Sequence, residues 1–528
     1  MRTQLHLAAS AIGALSIHPL GEAFTLATLV SFLAIFLTIF AARAVYRLSI
    51  YPAFVSPLRH LPGPKDHHFL LGHAINQFFS GDPNEPYLSW VRRWPDTQMV
   101  RYFTFLNSEA VLVTGLDAFR DILSVKPYSF VKPELYKRLL GPVVGKGLVF
   151  AEGEEHKGHR KLMAGPFALN KLKQLIPVFK EKAGHLSKYF DKAIEADGGV
   201  VELVKTYTSI TLDIIGVAAL GVDLRNLDAP TPFHVCYSRV FDPPVLGQAL
   251  MAIDLLVPIR WIPLEENKKY LAYSAEVHRM TLDVIRDRIG ELTDEKGKLV
   301  PTERKDLLTF LIQETYEAEN PWTEREYLGH MLNMLAAGHE TTASALQWAT
   351  HALGEYPEVQ RRLREEILEM LKVTPNPGYA ELESLKYLNN FSKEVLRVWC
   401  PAIESPREAA EDVMVSGVLI PKGTHILLMP AAIQHNPHIW GEDADQFNPD
   451  RWDDKKVDAH AFAAFFQGPR QCIGRVFSTI EFKIILVEIL SKFQFESVST
   501  EKIVLINPSP LLRPSGGLRA KLAWRRWT

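Results

Sequence analysis

One stretch near the amino end limits the folds open to this chain more than any other feature. The run Phe24–Ala42 contains no charged side chain, and as an α-helix it would be about 28 Å long, close to the thickness of a hydrocarbon core. Arg43 and Arg47 follow it directly, so the positive-inside rule predicts that the rest of the chain is cytosolic. We interpret residues 1–60 as a membrane anchor and its flank, with a transmembrane helix at about 24–42. A buried core helix is the alternative.

Two further segments surround this helix. The earlier apolar stretch Leu5–Ile17 is too short to span a bilayer comfortably. A signal-like segment, a re-entrant segment and the first limb of a hairpin all remain open for it. Downstream, Leu61–Pro64 contains two prolines, which fix the backbone and remove amide donors. We interpret it as a stiff hinge between the anchor and the rest of the chain.

The remaining chain has the composition of a large protein that needs no covalent staple. The full chain of 528 residues suits several domains or one unusually large one, and its net charge of −2 gives no global attraction to nucleic acid. Cys236, Cys400 and Cys472 are far apart, which excludes a disulfide framework and a four-ligand zinc site. No composition shift marks a linker, so residues 61–528 are predicted to form one mixed α and β domain.

Hydrophobic periodicity predicts a mainly helical region from about 155 to 400, with short strands before and after it. The predicted helices are Leu172–Asp197, Ala275–Leu292, Tyr327–Gly354, Pro357–Leu371 and one at about 473–492, and the predicted strands lie in Ala110–Thr114, Val413–Leu419 and His425–Met429.

Of the three cysteines, only Cys472 has neighbours that indicate a use for its sulfur. The sequence around it is FFQGPRQCIG, and an apolar stripe predicts a helix directly behind it. Backbone N–H groups at a helix start lower the pKa of a thiol and favour a metal-ligating thiolate, although an isolated cysteine is usually a small buried apolar residue. Gly468 and Gly474 lack Cβ atoms, which lets the backbone approach a flat cofactor, and Arg470 offers a forked cation for a carboxylate.

The pattern F-x-x-G-x-R-x-C-x-G, which begins at Phe465, resembles the haem-binding loop of the cytochrome P450 family. The resemblance implies a haem b whose iron is ligated by the Cys472 thiolate, a ligand that favours O–O cleavage. It also implies a mainly α fold with small β-sheets, preceded here by the transmembrane helix. The implied reaction is a monooxygenation, in which dioxygen is activated and one oxygen atom enters an apolar substrate.

Within the predicted helix 327–354, the run AGHETT resembles the oxygen-binding groove of the same family. By that resemblance, Ala337 and Gly338 let the helix pass over the haem, and Glu340 and Thr341 form an acid–alcohol pair that delivers protons. A helix kink in which Thr341 bonds back to the Ala337 carbonyl accounts for the same residues without a function.

Three charged residues resemble a structural network of this family. Glu394 and Arg397 match its E-x-x-R motif, and Arg451 matches a later arginine. The resemblance implies a buried cluster behind the cysteine loop that holds the fold and takes no part in catalysis. Pairs at this spacing are otherwise usually surface ion pairs of small energetic value.

Several basic residues match positions that bind haem propionates in the family, namely Arg160, Arg407 and Arg470. The family usually has tryptophan four residues before Arg160, whereas this chain has His156. An imidazole N–H can replace the indole donor; alternatively, the propionate is held by Arg160, His159 and Arg470.

The resemblance also implies partners. No flavin or nicotinamide fingerprint is evident, so electrons are expected from an NADPH-dependent flavoprotein reductase, with NADPH used only indirectly. Arg475 and Lys483 are candidates for its docking surface, with a solvated face as the alternative. We expect a single-pass protein of the endoplasmic reticulum membrane in contact with lipid, with a cytosolic catalytic domain and no nucleic-acid partner.

The substrate pocket is expected to be lined by residues 127–145, 401–405 and 508–512 and by the turn before Gly338. Glu404 is unusual there, and neutralisation by Arg407 is favoured over pairing with the substrate. The sequence is typical of a fungal enzyme of secondary metabolism that oxidises a terpenoid, polyketide or alkaloid skeleton. The alternatives are a haem-thiolate isomerase or dehydratase acting without dioxygen, which the acid–alcohol pair disfavours, and a non-enzymatic haem sensor.

Overall fold

The computed structural model describes Ser10 and residues 26–241, 243–454, 457–498 and 503–524; apart from Ser10, the stretch Leu5–Ile17 lies outside these residues, as do Phe24 and Thr25. The helices are α1 (Leu26–Val45), α2 (Ala74–Phe79), α3 (Glu85–Arg93), α4 (Leu116–Arg120), α5 (Glu134–Val144), α6 (Gly153–Ala164), α7 (Leu169–Leu172), α8 (Ile176–Asp197), α9 (Leu203–Ile215), α10 (Pro232–Phe241), α11 (Val245–Leu256), α12 (Glu265–Leu292), α13 (Leu307–Thr315), α14 (Glu324–Glu355), α15 (Pro357–Val373), α16 (Tyr379–Ser384), α17 (Lys386–Val398), α18 (Pro430–Gln434), α19 (Pro437–Trp440), α20 (Arg451–Asp454) and α21 (Arg475–Lys492). The strands are β1 (Met99–Thr104), β2 (Ser108–Val113), β3 (Phe130–Val131), β4 (Val200–Glu202), β5 (Ser405–Ala409), β6 (Val413–Val415), β7 (Val418–Ile420), β8 (His425–Leu428), β9 (Phe493–Ser497) and β10 (Arg519–Trp524). The fold is therefore mainly helical with small sheets, as predicted.

Two helical stretches in the described residues are long and apolar enough to cross a membrane, Leu26–Val55 and Leu203–Leu220. The second is mostly buried in the domain, where α9 is a core helix. The first is almost entirely exposed and is a candidate membrane span. It runs past the predicted end at residue 42, through Val45 and on as a π-helix over Tyr46–Val55, because its first proline is Pro52.

The segment after α1 packs against the domain. The Asn107 side-chain amide donates to the Leu48 carbonyl. Arg101 Nη2 donates to the Pro52 carbonyl at 2.7 Å, and the Arg101 backbone amide donates to the Pro62 carbonyl at 2.8 Å. The Leu61–Pro64 segment, predicted as a stiff hinge, is thus tied to β1 through the Pro62 carbonyl.

Two sheets flank the helices. The larger has the strand order β1-β2-β8-β5-β3, in which β2 and β8 are parallel, and it contains the predicted strands at 110–114 and 425–429. The smaller has the order β4-β10-β9, so the last strand of the described residues is its central strand. Strands β6 and β7 form a separate antiparallel pair, Val413↔Ile420 to Val415↔Val418.

Helix α14 runs through the core and confirms the helix predicted at 327–354. It begins with a capping box, in which Thr323 and Glu326 satisfy each other's backbone amides. Two other predicted helices differ. Helix α12 starts earlier than residue 275, at Glu265. The predicted helix 172–197 is interrupted before Ile176, because Pro177 is compatible only with the first turn of α8.

Candidate active site

The loop 465–474 places the Cys472 thiol at an opening inside the protein. The Cys472 backbone amide donates to the Phe465 carbonyl at 3.0 Å, and Gly474 is the N-cap of α21. The Cys472 side chain lies deep in the molecule, yet much of its surface is not covered by other residues. It therefore faces an internal cavity. Gly468 has φ +76°, and a Cβ there would lie 2.1 Å from the Leu123 carbonyl oxygen, so close packing on that carbonyl requires glycine.

Opposing effects act on the pKa of the Cys472 thiol. Burial raises the pKa of Cys472 above its ordinary value, and this effect outweighs the backbone amides of Gly474 and Arg475 and the charges of Arg160 and Arg475, which lower it. The sequence-based expectation of a lowered pKa is therefore wrong for the free thiol, because desolvation disfavours its anion. The same amides and arginines remain positioned to stabilise a thiolate once a cation binds it.

The run AGHETT occupies the middle of α14. Ala337 is exposed, whereas most of its neighbours on the helix are buried, so this point of α14 also faces an opening. A Cβ at Gly338 would lie 2.8 Å from Ile215 Cδ1, so the glycine allows α14 to pack on α9. The hydroxyl of Thr341 donates to the Ala337 carbonyl at 2.6 Å, which is the back-bonded arrangement considered above.

Glu340 is already paired within the protein. Its carboxylate contacts Arg513 of the carboxy-terminal segment and lies 3.3 Å from His339 Nε2. Burial alone would raise the pKa of Glu340, but His339 and Arg513 together lower it to about 2. The carboxyl group is thus held as an anion. Arg513 escaped sequence reasoning because it is far from Glu340 in the chain and belongs to no local motif.

Three cations, Arg470, Lys132 and Arg407, lie around the carboxylate of Glu152. Arg470 pairs with Glu152, whose other oxygen lies 3.9 Å from Lys132 Nζ. The charges of Arg470 and Glu152 also act on the buried Arg407. Burial and then Arg407 lower the pKa of Lys132 to about 7, and burial and then Arg470 lower the pKa of Arg407 to about 10. Lys132 and Glu152 were not predicted, since a lone lysine or glutamate before folding carries no signal.

Three residues of α6, namely Arg160, His156 and His159, contact different parts of the protein. Arg160 Nη1 donates to the Gln471 carbonyl at 2.8 Å and so supports the cysteine loop from behind. His156 Nδ1 lies 3.1 Å from the Tyr128 hydroxyl. Burial, then Arg470, Lys132 and Arg160, lower the pKa of His156 to about 4, which keeps its imidazole neutral. His159 instead packs against Trp322 and His330, with ring centroids 5.3 and 4.8 Å away.

These features test whether a haem group fits the chain. The soft sulfur donor faces an internal opening, and α14 faces one at the small residue Ala337. Lys132, Arg407 and Arg470 carry more positive charge than Glu152 neutralises, which suits a group with two carboxylates. The residues present therefore fit a haem with a thiolate ligand.

The buried network of charged residues is formed as the family resemblance implied. Arg397 makes two bonds of 2.9 Å to the Glu394 carboxylate, and both side chains are fully buried. Glu394 also accepts from Trp452 Nε1 at 2.9 Å and lies 3.4 Å from Arg451 Nε. Arg451 is further paired with Asp443 at 2.7 Å. Every charge in this cluster has a partner.

Two sequence-based interpretations are wrong. Lys483 is buried and pairs with Glu383 at 2.6 Å, so it is unavailable to a docking partner. Arg407 does not neutralise Glu404, because the guanidinium donates to Ser405 Oγ at 2.8 Å and to the Pro406 carbonyl at 2.9 Å. The first error arose because exposure was assumed from charge, and the second because neighbours in sequence need not share a face of a strand.

Comparison with known proteins agrees with this geometry. A family model described as Cytochrome P450 matches residues 62–522. The chain is 32% identical over 503 residues to cytochrome P450 monooxygenase sphH of Aspergillus fumigatus, with 91% of each protein covered. It is 30% identical to cytochrome P450 monooxygenase FUM15 of Gibberella moniliformis, with 90% of each covered. It is 30% identical to cytochrome P450 monooxygenase ptmK of Penicillium ochrochloron, with 94% of this chain and 99% of that protein covered.

Proposed function

The chain belongs to the cytochrome P450 family and is a monooxygenase, and on that premise we propose that it oxidises a lipophilic intermediate of fungal secondary metabolism. The observation that carries the assignment to this site is the Cys472 thiol, which opens on an internal cavity next to an excess of buried cations. The fungal sources of the relatives support the setting. We propose a terpenoid, polyketide or alkaloid skeleton as the substrate.

In this proposal, Cys472 ligates the haem iron, and Arg407, Arg470 and Lys132 hold the propionates. When bound, the haem supplies the activation of dioxygen. Phe465, Gly468 and Gly474 shape the loop that presents the sulfur, and Ala337 leaves room above the opposite face. Arg160 holds the Gln471 carbonyl and so orients the loop.

Glu340 and Thr341 are proposed to handle protons, each from a defined starting state. The Thr341 hydroxyl begins bonded to the Ala337 carbonyl, so rotation about its side chain is needed before it donates elsewhere. Glu340 begins as an anion paired with Arg513 and His339. It takes up a proton only when that pairing loosens, which makes Arg513 a positioning residue for the acid.

We expect Thr341→Ala to bind haem normally but to separate NADPH consumption from product formation, because the hydroxyl that passes protons is gone. Product formed per NADPH should fall by about tenfold, less than the roughly hundredfold minimum for a positioned acid–base group because water can replace the hydroxyl. Thr342→Ala is the matched control, since Thr342 makes the same type of backbone bond to Gly338, at 3.2 Å. Equal coupling in the two variants would refute the role of Thr341.

The electron source is proposed to be a membrane-bound NADPH-dependent flavoprotein reductase. The test is reconstitution of the full-length protein with such a reductase and a panel of lipophilic metabolites, followed by mass spectrometry of the products. Incorporation of one atom from labelled dioxygen supports monooxygenation of the tested compound. Rearranged products without the label would instead indicate an isomerase or dehydratase.

We further propose that α1 anchors the protein in the endoplasmic reticulum membrane with the domain in the cytosol. The full-length protein should remain in microsomes after a carbonate wash, because α1 offers an exposed apolar surface. Deletion of residues 1–45 should release most of it into the soluble fraction. Protease digestion of intact microsomes should degrade the domain, and its protection would reverse the proposed orientation.

A further inference from the structure

The segment between α17 and β5 holds a carboxylate in a fixed place. The Leu512 amide donates to the Pro401 carbonyl at 2.8 Å, and the Ile403 amide donates to the Pro510 carbonyl at 3.2 Å. Ser405 then enters the sheet opposite Leu428. Glu404 lies between these two attachments, so its backbone has little freedom and its side chain is directed by the fold.

Glu404 has no partner among the described residues. No hydrogen bond or ion pair reaches its carboxylate from residues 26–241, 243–454, 457–498 or 503–524. Arg407 follows three positions later in an extended stretch, where alternation directs its side chain to the opposite face. Its Nη1 donates to Ser405 Oγ and to the Pro406 carbonyl, and not to Glu404.

Three tyrosines from three different elements lie within reach of the charge of Glu404, and the ring centroids of two of them, Tyr87 and Tyr102, are 6.2 Å apart. Tyr87 is on α3, Tyr102 on β1 and Tyr136 on α5, and the charge of Glu404 adds to burial in raising the pKa of each phenol. None of these hydroxyls has a hydrogen bond to another described residue. Three phenols and one carboxylate thus converge with their polar atoms unused by the protein.

This cluster faces the same interior as the catalytic groups. Glu404 lies deep in the protein but keeps part of its accessible surface, which an internal cavity explains. Helix α5, which carries Tyr136, is tied to α14 by Asn333, whose side-chain amide donates to the Val144 carbonyl at 2.6 Å. Asn333 lies one turn before the exposed Ala337. The segment that carries Glu404 is also tied to α14 through residues 510–513, because Ser344 Oγ donates to the Leu512 carbonyl at 2.9 Å and Arg513 pairs with Glu340.

A buried carboxylate without a cation or a donor is costly to retain. A ligand that supplies both charge and N–H groups would remove that cost, and phenol rings beside an anion also suit a cation. We propose that Glu404, with Tyr102 and Tyr136, binds a protonated amine of the substrate, so that the enzyme selects amphiphilic amines, apolar molecules with one basic nitrogen. The inference rests on the proposed function, since it concerns the substrate of that site.

Selectivity for a protonated amine should depend on pH. Burial raises the pKa of Glu404 to about 7. An aliphatic amine stays protonated across this range, so selectivity for it should grow as the pH rises from about 6 to about 8 and Glu404 becomes charged. The other titratable groups that face Glu404 are the phenols of Tyr87, Tyr102 and Tyr136, whereas Arg407, on the opposite face of the strand, acts on Tyr136. None of them titrates between these values.

The test compares two probes, N,N-dimethyloctylamine and octanol, on full-length holoenzyme in nanodiscs, with partition into empty nanodiscs subtracted. Binding is followed by the spin-state shift of the Soret band and, independently of haem, by equilibrium dialysis. We expect the wild type to bind the amine at least about tenfold more tightly than the alcohol, as a charge-assisted contact implies. Glu404→Gln should abolish this ratio and leave octanol binding within about threefold.

Glu408→Gln is the matched control, since Glu408 is a nearby carboxylate on β5 and its substitution keeps Glu404 intact. It should retain the selectivity. Glu404→Gln should also melt at the same temperature as the wild type or higher, because it removes an uncompensated charge, whereas loss of a structural residue would lower the melting temperature. An unchanged amine-to-alcohol ratio in Glu404→Gln, or no ratio in the wild type, would overturn the inference. Failure of the proposed function would instead appear as a missing thiolate spectrum while dialysis still reported the ratio.

Discussion

Cys472→Ala is expected to yield a folded protein that binds no haem through sulfur and has no monooxygenase activity. The thiol is the only cysteine sulfur among the described residues that is exposed to an internal opening, whereas Cys400 is buried and Cys236 is partly buried at another place. Alanine cannot ligate iron, so both axial attachment and electron donation are lost. The reduced carbon monoxide complex should lack the red-shifted Soret band, and haem content should fall to background.

The two other cysteines provide the controls for this result. Cys236→Ala and Cys400→Ala should keep the thiolate spectrum, because neither residue belongs to the loop 465–474. Circular dichroism of Cys472→Ala should match the apoprotein of the wild type, which separates loss of the ligand from loss of the fold. A normal thiolate spectrum in Cys472→Ala would refute the assignment of Cys472 as the haem ligand.

Glu394→Gln is expected to destabilise the domain more than any surface substitution. It removes the only described carboxylate that neutralises Arg397, which is fully buried, and it also withdraws an acceptor from Trp452. Removal of one partner from a buried ion pair typically costs about 3–5 kcal/mol, because the other charge is left in a low-dielectric interior. The measurement is urea unfolding followed by tryptophan fluorescence.

The chain contains a matched control for that experiment. Glu358 and Arg361 have the same E-x-x-R spacing on α15 and pair at 2.6 Å, but both side chains are more than half exposed. Glu358→Gln should leave the unfolding midpoint unchanged, since solvent screens such pairs. Equal effects at Glu358 and Glu394 would show that burial of the network does not determine its contribution.

Local spacing was sufficient to predict the features that depend on one stretch of sequence. The loop around Cys472, the pairing of Glu394 with Arg397 and the long helix α14 were all predicted from residues that are neighbours in the chain. Amphipathic periodicity was the information needed for α14, whereas the use of the Cys472 loop and the burial of Glu394 with Arg397 were implied by the resemblance of their motifs to the cytochrome P450 family.

Contacts between distant segments were not predictable in this way. The pairing of Glu340 with Arg513, and of Arg470 with Glu152, depends on how loops from different parts of the chain meet. Lys483 illustrates the same limit, since only the fold shows that its charge is buried against Glu383. Pairing and burial at such positions are set by tertiary structure, whereas sequence patterns report local conformation.

The central position of β10 has a consequence for biosynthesis. Because this strand lies between β4 and β9, the smaller sheet stays incomplete until residues 519–524 leave the ribosome, a few seconds after the cysteine loop at a synthesis rate of about 5–20 residues per second. Until then, β4 and β9 have unpaired edges that invite association with other chains. A premature stop before Arg519 would therefore yield a nascent protein with its cofactor loop already synthesised but directed to aggregation or degradation.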